Sequence, residues 1–411
     1  MLVPQIDLPA EYIEGARLVL DDRLEIASLR IEAGRITGID VARDGATRIP
    51  ARGLTLAPAF VDIHGDAFER QLMPRPGVPV PLDLALMETD RQLAANGIAT
   101  AYHALTLGWE PGLRNLRTAR QLVEALDRLQ PRLTAENRLQ LRWETFCPEA
   151  EPLIIRALDL GLCPALAFND HTSPAMLPPE IAVQDRPFDH VPDYPQADPS
   201  SPDFARRLQD RASRSQMTPA AYAALLATVW QRRPDVPAQT ARIAALARTR
   251  GAPMLSHDDT QPETRGWYRS LGARIAEFPM NQAAARAARD GGDWIVLGAP
   301  NAMRGGSHLG SAAAAPMIAG GLCDILASDY FHPAMLGAMA RLSADSVAPL
   351  PALWQLVAAN PAAALGLSDR GRIAPGLRAD LVLLDWPDQG MPAPRRTWVS
   401  GRAGYSALSR R

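Results

Sequence analysis

The segment AFVDIHGD (59–66) is an apolar run that ends in two residues able to bind a metal, His64 and Asp66. Similar short runs with ionisable residues near their ends recur downstream: LQLRWET (139–145), ALAFNDH (165–171), APMLSHDD (252–259) and LCDILASD (322–329). Between them lie stretches of helical composition, such as RQLVEALDRLQPRL (120–133) and TARIAALARTRG (240–251). This alternation of short strands and helices predicts a parallel sheet, and its length predicts a (β/α)8 barrel of the TIM type over residues 58–365.

Both ends of the chain have a different pattern, with short β segments separated by turn residues. These segments are ARLVL (16–20), IASLRIEAGRITGI (26–39), GLTLAP (53–58), GRIAPGLRADLVLLD (371–385) and TWVSGRAG (397–404). We therefore expect residues 1–57 and 366–411 to form one small β-sandwich domain. Residues 172–250 are too long for an ordinary connection, and their proline- and aspartate-rich start followed by a helical pattern predicts an inserted lid or elaborated loop.

The ionisable residues at the ends of the runs predict a metal centre. In a barrel the carboxyl ends of the strands converge on one mouth, and histidine nitrogens and carboxylate oxygens suit Zn²⁺, Mn²⁺ or Fe²⁺. A single histidine there is more often a hydrogen-bonded structural residue, and a single aspartate is often a helix cap. Because three of the seven histidines lie in such positions, the repetition favours one or two bound ions. The candidate ligands are His64, Asp66, Glu144, His171, His257 and Asp329.

A second feature is the segment VLGAPNAMRGGSHLG (296–310), which places Arg304 before Gly305 and Gly306 and continues with Ser307 and His308. Glycines let successive backbone N–H groups face one anion, and arginine offers a two-pronged donor to phosphate. A Gly-Gly pair alone is commonly only a turn. Arg75, in MPRPG (73–77), is either part of a rigid loop or a further cation directed at the mouth.

Composition excludes several kinds of chemistry. The chain has 411 residues and 43 basic ones, all of them arginine, so Schiff-base lysines, P-loop lysines and carboxylated-lysine metal bridges are excluded. The net charge of −2 gives no basic field that would attract nucleic acid or an anionic membrane. The N-terminus lacks a signal-peptide pattern, and no apolar run approaches about 18 residues, so we expect a cytoplasmic protein.

The motifs resemble those of the amidohydrolase superfamily, whose members are barrels with a β-sandwich built from both termini. The general matches are LAPAFVDIHGD (56–66), SHDD (256–259), ASDY (327–330) and the closing GRIAPGLRADLVLLD. Within the superfamily the chain is most similar to the α-D-ribose 1-methylphosphonate 5-triphosphate diphosphatases of the carbon–phosphorus lyase pathway. The segments that carry this likeness are HGDAFERQLMPRPGV, LRWE, NDHTS, LSHDD, IAEFP, GAPNAMRGGSHLG and DILASDY.

The resemblance implies a role for each candidate residue. Glu144 would bridge two ions in place of a carboxylated lysine, and His171 and His257 would match histidines of the fifth and sixth strands. Asp329, on the eighth strand, would be both ligand and general base. Arg75, Arg304, Gly305, Gly306, Ser307 and His308 would bind a phosphorylated ribose, and His308 would protonate the leaving pyrophosphate or bind it.

Other readings remain open at the level of sequence. The same metal centre would serve a hydrolase of C–N bonds, such as a cyclic amidase, a deacetylase or a deaminase, because a fold does not fix a function. A non-catalytic barrel that acts as an interaction protein ranks third. Residues 172–250 and His103 depart from the pattern of the diphosphatases, and assembly into a homo-oligomer is left open.

Overall fold

The computed structural model describes residues 8–75, 77–306 and 312–407. The chain begins with five strands of a mostly antiparallel sheet, in which β1 pairs with β2 and β2 with β3. The predicted segment 26–39 divides into two strands because Ala33 and Gly34 take left-handed conformations (φ 48° and 80°) and form a hairpin turn. The strands are β1 (Glu11–Val19), β2 (Leu24–Glu32), β3 (Arg35–Ile39), β4 (Thr47–Pro50) and β5 (Thr55–Pro58).

Eight parallel strands follow and form the barrel. All ten residues of its second strand are buried, as expected where helices cover a parallel sheet outside and side chains fill it inside. The first and last strands are joined by a parallel bridge between Gly65 and Asp329, which completes the ring. The strands are β6 (Phe60–Gly65), β7 (Ile98–Leu107), β8 (Glu136–Glu144), β9 (Ala165–Asn169), β10 (Met254–His257), β11 (Ile275–Glu277), β12 (Trp294–Gly298) and β13 (Ile325–Ala327).

Helices connect the barrel strands and form its outer layer. Leu116–Leu129 is typical: Asn115 caps its first turn by accepting from the Thr118 amide at 2.8 Å, and its leucines and alanines face the barrel. The helices are α1 (Phe68–Leu72), α2 (Leu82–Ala95), α3 (Leu116–Leu129), α4 (Glu151–Asp159), α5 (Thr172–Met176), α6 (Pro202–Arg207), α7 (Gln209–Arg214), α8 (Pro219–Trp230), α9 (Val236–Thr249), α10 (Pro262–Ser270), α11 (Gln282–Asp290), α12 (Ala299–Arg304), α13 (Ala314–Ala319), α14 (Ala334–Ala344), α15 (Leu350–Gln355) and α16 (Ala359–Ala364).

The last strands return to the first sheet: β14 (Leu381–Asp385), β15 (Ala393–Val399) and β16 (Arg402–Ser406). Strand β14 pairs with β5, which gives the order β16-β15-β14-β5-β1-β2-β3, with β4 beside β1. The predicted fold class, a barrel with a β domain made from both chain ends, is therefore confirmed. The domain boundaries at 57 and 366 stay a prediction.

Residues 172–250 contain five of these helices, α5 to α9, and no strand in the described part of the segment. Four of its apolar residues, Met176, Phe204, Tyr222 and Trp230, pack with Phe146 in one buried cluster. The segment is therefore packed on the barrel with a small core of its own. Within the described ranges, no helix combines the length and the apolar character needed to cross a membrane.

Candidate metal centre

The carboxyl ends of five barrel strands bring possible ligand atoms together. Three overlapping groups have their nitrogen or oxygen atoms within 4.8 Å of one another. They are His64, Asp66 and Asp329; His64, His257 and Glu277; and His171, His257 and Asp258. Because His64 and His257 belong to two groups each, the three groups form one continuous cluster. Nitrogen and carboxylate donors in this combination suit Zn²⁺, Mn²⁺ or Fe²⁺.

The first group is held where the barrel closes. The amide of Asp329 donates to the carbonyl of His64, and the amide of Asp66 donates to the carbonyl of Asp329, both at 2.9 Å. Asp329 takes a left-handed conformation, with φ at 55°, which costs free energy and is held by these two hydrogen bonds. Burial raises the pKa of Asp329, and the neighbouring Asp66 carboxylate acts in the same direction.

The second group surrounds a fully buried carboxylate, Glu277. Its Oε1 accepts from Gln140 Nε2 at 2.7 Å and lies 3.1 Å from His64 Nδ1, while Oε2 lies 3.8 Å from His257 Nε2. His64 Nδ1 and Glu277 Oε2 are buried atoms without a hydrogen-bond partner. Buried polar atoms are almost always paired, and an imidazole nitrogen and a carboxylate oxygen can both offer a lone pair, so two such orphans in one group fit a position for a cation.

The third group lies toward residues 172–250. His257 Nδ1 is 2.9 Å from Asp258 Oδ2, and His171 Nε2 is 4.0 Å from the same oxygen. On its other side, His171 approaches Glu144, with Nδ1 2.6 Å from Oε1 and its backbone amide donating to Oε2 at 3.1 Å. Burial alone would raise the pKa of Glu144, but His171 and Arg142 outweigh burial and lower it to about 2.

The structure changes some details that the sequence suggested. Counted around the barrel, His171 follows the fourth strand and His257 ends the fifth. The prediction had placed these two histidines on the fifth and sixth strands, so it was wrong by one strand for each. The sixth strand ends in Glu277 instead, while Asp329 follows the eighth as expected. Among the described residues Glu144 joins none of the three groups and pairs with His171, so its bridging role stays a prediction.

Two members of the cluster were absent from the predicted ligand set, Asp258 and Glu277. Asp258 stands next to His257 in SHDD, and that proximity was the available signal. Glu277 ends a strand of only three residues, Ile275–Glu277. Periodicity is unreadable in so short a run, so sequence reasoning passed over it.

Two arginines lie beside the ligands. Arg142 is buried, with Nη1 3.7 Å from Asp66 Oδ2 and Nη2 3.4 Å from His257 Nε2. When the side-chain amide of Asn169 is oriented with its oxygen toward Arg142, that oxygen accepts from the Nε and Nη2 of the guanidinium at 3.2 Å. Arg114 makes a two-pronged pair with Glu69 and lies 3.7 Å from Asp66 Oδ2. Positive charge therefore adjoins the cluster on the Asp66 side.

The predicted anion-binding residues lie apart from these contacts. Arg304 is exposed at the end of α12, and Gly305 follows in a left-handed conformation (φ 82°). Arg75 is exposed in a turn closed by the Val78 amide. In the part of the chain that the structure describes, neither arginine pairs with a candidate ligand. Gly306 is the last described residue of its range, and the predicted Ser307 and His308 lie outside the described residues.

His103 points away from the mouth. Its ring is buried between the barrel and its helices, where Nε2 lies 2.7 Å from Asn137 Oδ1 and Phe68 packs against it edge-on. The residues around it line a small apolar cavity: Phe68, Leu86, Leu105, Leu122, Leu126 and Leu139. Burial lowers the pKa of His103, so the ring is neutral near pH 7. Its surroundings are those of a core residue.

Comparisons with known proteins agree with this fold. A family model described as "Amidohydrolase family" matches residues 231–405. The chain is 32% identical to the α-D-ribose 1-methylphosphonate 5-triphosphate diphosphatase of Escherichia coli (strain K12) over 380 residues, which cover 90% of this chain and 94% of that protein. An adenine deaminase of Methylobacterium sp. (strain 4-46) is 42% identical over 82 residues, 20% of this chain and 14% of the deaminase. Among solved structures, phenylurea hydrolase B has a TM-score of 0.59 over 96% of both chains at 13% identity, a likeness of fold.

Proposed function

The chain belongs to the amidohydrolase superfamily, and we propose that it hydrolyses α-D-ribose 1-methylphosphonate 5-triphosphate to the 5-phosphate and pyrophosphate. The observation that carries the proposal is the likeness to the diphosphatase, since it extends over nine-tenths of both proteins. Water would add to a phosphorus of the anhydride while the bond to the departing pyrophosphate breaks. The substrate would be a small phosphorylated ribose.

The ions would be held by the cluster at the barrel mouth. One or two divalent ions, Zn²⁺, Mn²⁺ or Fe²⁺, would be bound by His64, Asp66, Glu144, His171, His257 and Asp329. A bound ion would polarise a phosphoryl oxygen and lower the pKa of water toward about 7. The buried and unpartnered Nδ1 of His64 supports this, since a bound cation would satisfy it.

The chain's own residues would divide the remaining work. Asp329 would orient the attacking water and accept its proton, in a position that the barrel-closing hydrogen bonds fix. Arg75, Arg304 and the Gly305–Gly306 backbone would neutralise the polyphosphate, together with Ser307 and His308. Arg142 and Arg114 add positive charge beside Asp66. Because the chain has no lysine, arginine must supply this charge.

Phosphorus NMR tests the proposal directly. Purified protein loaded with Zn²⁺, Mn²⁺ or Fe²⁺ is incubated with the ribose triphosphate, and the spectrum is followed with time. We expect a pyrophosphate resonance and a 5-phosphomonoester resonance to grow together. A metal-loaded protein that releases no pyrophosphate would contradict the assigned substrate.

A second candidate function is hydrolysis of a C–N bond on the same centre. The local match to an adenine deaminase favours it, although that match covers only a fifth of the chain. Mutation of Arg304 to alanine separates the two. A polyphosphate hydrolase should lose at least about 100-fold in kcat/KM, on the scale of one lost charge-stabilising donor, whereas hydrolysis of a neutral amide should change little.

The matched control for Arg304→Ala is Arg286→Ala, which removes an exposed arginine from α11. We expect this control to keep the activity of the unmodified protein on either substrate. Equal activities of both variants on the ribose triphosphate would exclude Arg304 from the proposed anion site.

A further inference from the structure

Glu277 is the most deeply enclosed carboxylate of the cluster. It ends β11 with no exposed surface, and three other barrel strands, β6, β8 and β10, contribute the polar groups around it. Gln140, from β8, donates to Oε1 and so fixes the plane of the carboxylate. Phe278 packs edge-on against the rings of His64 and His257, at 5.0 and 5.3 Å between centroids. The carboxylate and both imidazoles are therefore held in a dry and rigid setting.

The hydrogen bonds around Glu277 leave two atoms unsatisfied. His64 Nδ1 and Glu277 Oε2 have no partner although both are buried. A charged oxygen without a partner in the interior is strongly unfavourable unless a cation accompanies it. Arg142, the guanidinium nearest His257 Nε2, makes its ion pair with Asp66.

The three side chains are close enough to share one metal ion, since one ligand atom of each lies within 4.8 Å of the others. His64 Nδ1 is 3.1 Å from Glu277 Oε1, and His257 Nε2 is 3.8 Å from Oε2. Two donors each about 2.05 Å from a tetrahedral ion lie about 3.3 Å apart, between these two values. A small adjustment of flexible side-chain ends would therefore bring all three groups onto one ion.

We propose that Glu277 is a metal ligand, binding a divalent ion together with His64 and His257. The inference rests on the proposed function in one respect, that the barrel mouth holds such an ion. It adds a ligand from the sixth strand, and it gives Gln140 the role of orienting that ligand. In the competing account Glu277 only accepts a hydrogen bond from His64 and touches no metal.

Mutation of Glu277 to glutamine tests the assignment, because it keeps the shape and removes the charge. Metal is stripped with a chelator, and Mn²⁺, Zn²⁺ or Co²⁺ is returned in competition with a chromophoric chelator. We expect the affinity of Glu277→Gln for the ion to fall at least about 100-fold, the upper end of what loss of a supporting residue costs. The matched control is Glu136→Gln, at the start of β8 and thus at the opposite end of the barrel, which should bind metal as the unmodified protein does.

Thermal unfolding distinguishes a ligand from a structural partner of His64. Without metal, Glu277→Gln should be at least as stable as the unmodified protein, because the substitution removes a buried charge whose Oε2 has no hydrogen-bond partner. Added metal should raise the Tm of the unmodified protein and of Glu136→Gln much more than that of Glu277→Gln. An unchanged metal affinity, or a loss of stability confined to the metal-free form, would overturn the assignment.

A second substitution keeps the test decisive if Glu277→Gln fails to fold. Glu277→Asp retains the charge but places it one methylene farther from the ion. If Glu277 is a ligand, the affinity of the protein for the ion should still fall. If Glu277 only pairs with His64, that affinity should not change. These measurements need no substrate. A protein that binds metal well with or without Glu277 would refute this inference alone, whereas inactivity of the metal-loaded protein on the ribose triphosphate would refute the proposed function alone.

Discussion

A guanidinium stands among the candidate ligands at the mouth of the barrel. Arg142 lies two residues before Glu144 on β8, so both side chains point to the interior. Its Nη2 is 3.4 Å from His257 Nε2, the nitrogen that also faces Glu277. A fixed cation at this distance opposes a divalent ion, and it also competes for one of the donor atoms.

We therefore expect Arg142→Met to bind a divalent ion more tightly than the unmodified protein, by about tenfold or more, since removal of one nearby charge changes binding by at least about 1.4 kcal/mol. Competition with a chromophoric chelator measures the change. Arg114→Met is the control, because Arg114 lies equally far from Asp66 but pairs with Glu69. Weaker metal binding by Arg142→Met would mean that the guanidinium supports the ligands.

At the scale of elements, residues 172–250 are fastened to the backbone of two candidate ligands. Arg186 Nη2 donates to the carbonyl of Asp258 at 3.0 Å, and Arg211 Nη1 donates to the carbonyl of His171 at 3.2 Å. Asp258 has φ at 58°, a left-handed shape that costs free energy and persists only where neighbours enforce it. Residues 172–250 thus help to shape the backbone around the candidate ligands at the mouth of the barrel.

Asn281 joins this segment to the barrel's outer layer. Its Oδ1 caps α11 by accepting from the Ala284 amide, and its Nδ2 donates to the carbonyl of Gln184 at 2.9 Å and that of Thr260 at 2.8 Å. We expect Asn281→Ala to lower the free energy of unfolding by about 1–2 kcal/mol and to increase hydrogen exchange around 183–190. Urea unfolding and hydrogen-exchange mass spectrometry measure the two effects.

The control for Asn281→Ala is Asn115→Ala, which removes the cap of α3 but no contact to residues 172–250. It should cost a similar free energy of unfolding and leave exchange at 183–190 unchanged. If both variants show the same exchange there, the side chain of Asn281 does not fasten the segment.

At the scale of the whole molecule, a partly buried charge cluster joins the barrel to the last part of the chain. Glu136, at the start of β8, pairs with Arg138, Arg378 and Arg370, the last at 2.5 Å. Arg370 also donates to Thr100 Oγ1 at 2.8 Å. Burial alone would raise the pKa of Glu136, but the three guanidiniums outweigh burial and lower it to about 2.

This lowered pKa predicts a pH-dependent contribution to stability. A carboxyl group that is more acidic in the folded state stabilises it fully above its unfolded pKa, near 4.5, and that contribution is lost as the pH falls toward 2. Near pH 6 we expect Glu136→Gln to be less stable than the unmodified protein by on the order of 2 kcal/mol, and the difference should shrink steadily below pH 4.5. Urea titrations at several pH values measure it.

The corresponding control is Glu124→Gln, which breaks the exposed pair between Glu124 and Arg156. An exposed pair contributes little, so this variant should match the unmodified protein at every pH. A difference between Glu136→Gln and the unmodified protein that persists down to pH 3 would show that the charge of Glu136 is not its source.

Much of this organisation was predictable because it depends on local pattern. Short apolar runs such as FVDIHG and ALAFN, alternating with helical stretches, favour strands covered on both faces, and their polar last residues then lie at one edge of the sheet. The absence of lysine, which is a property of composition alone, excluded a carboxylated-lysine bridge. The pattern of the segment around Arg304 predicts anion binding, but whether these residues reach a substrate depends on tertiary contacts that a sequence pattern does not specify.

The sequence by itself determined the barrel, the β domain from both chain ends and most of the strand-end histidines and carboxylates. Only the tertiary structure decided which of them meet: Glu277 with His64 and His257, Glu144 with His171, and Arg142 beside Asp66. The physical reason is that periodicity and composition report what each segment buries, whereas these partners lie on different strands. Their distances are set by how the eight strands close, and that closure is a property of the packed barrel.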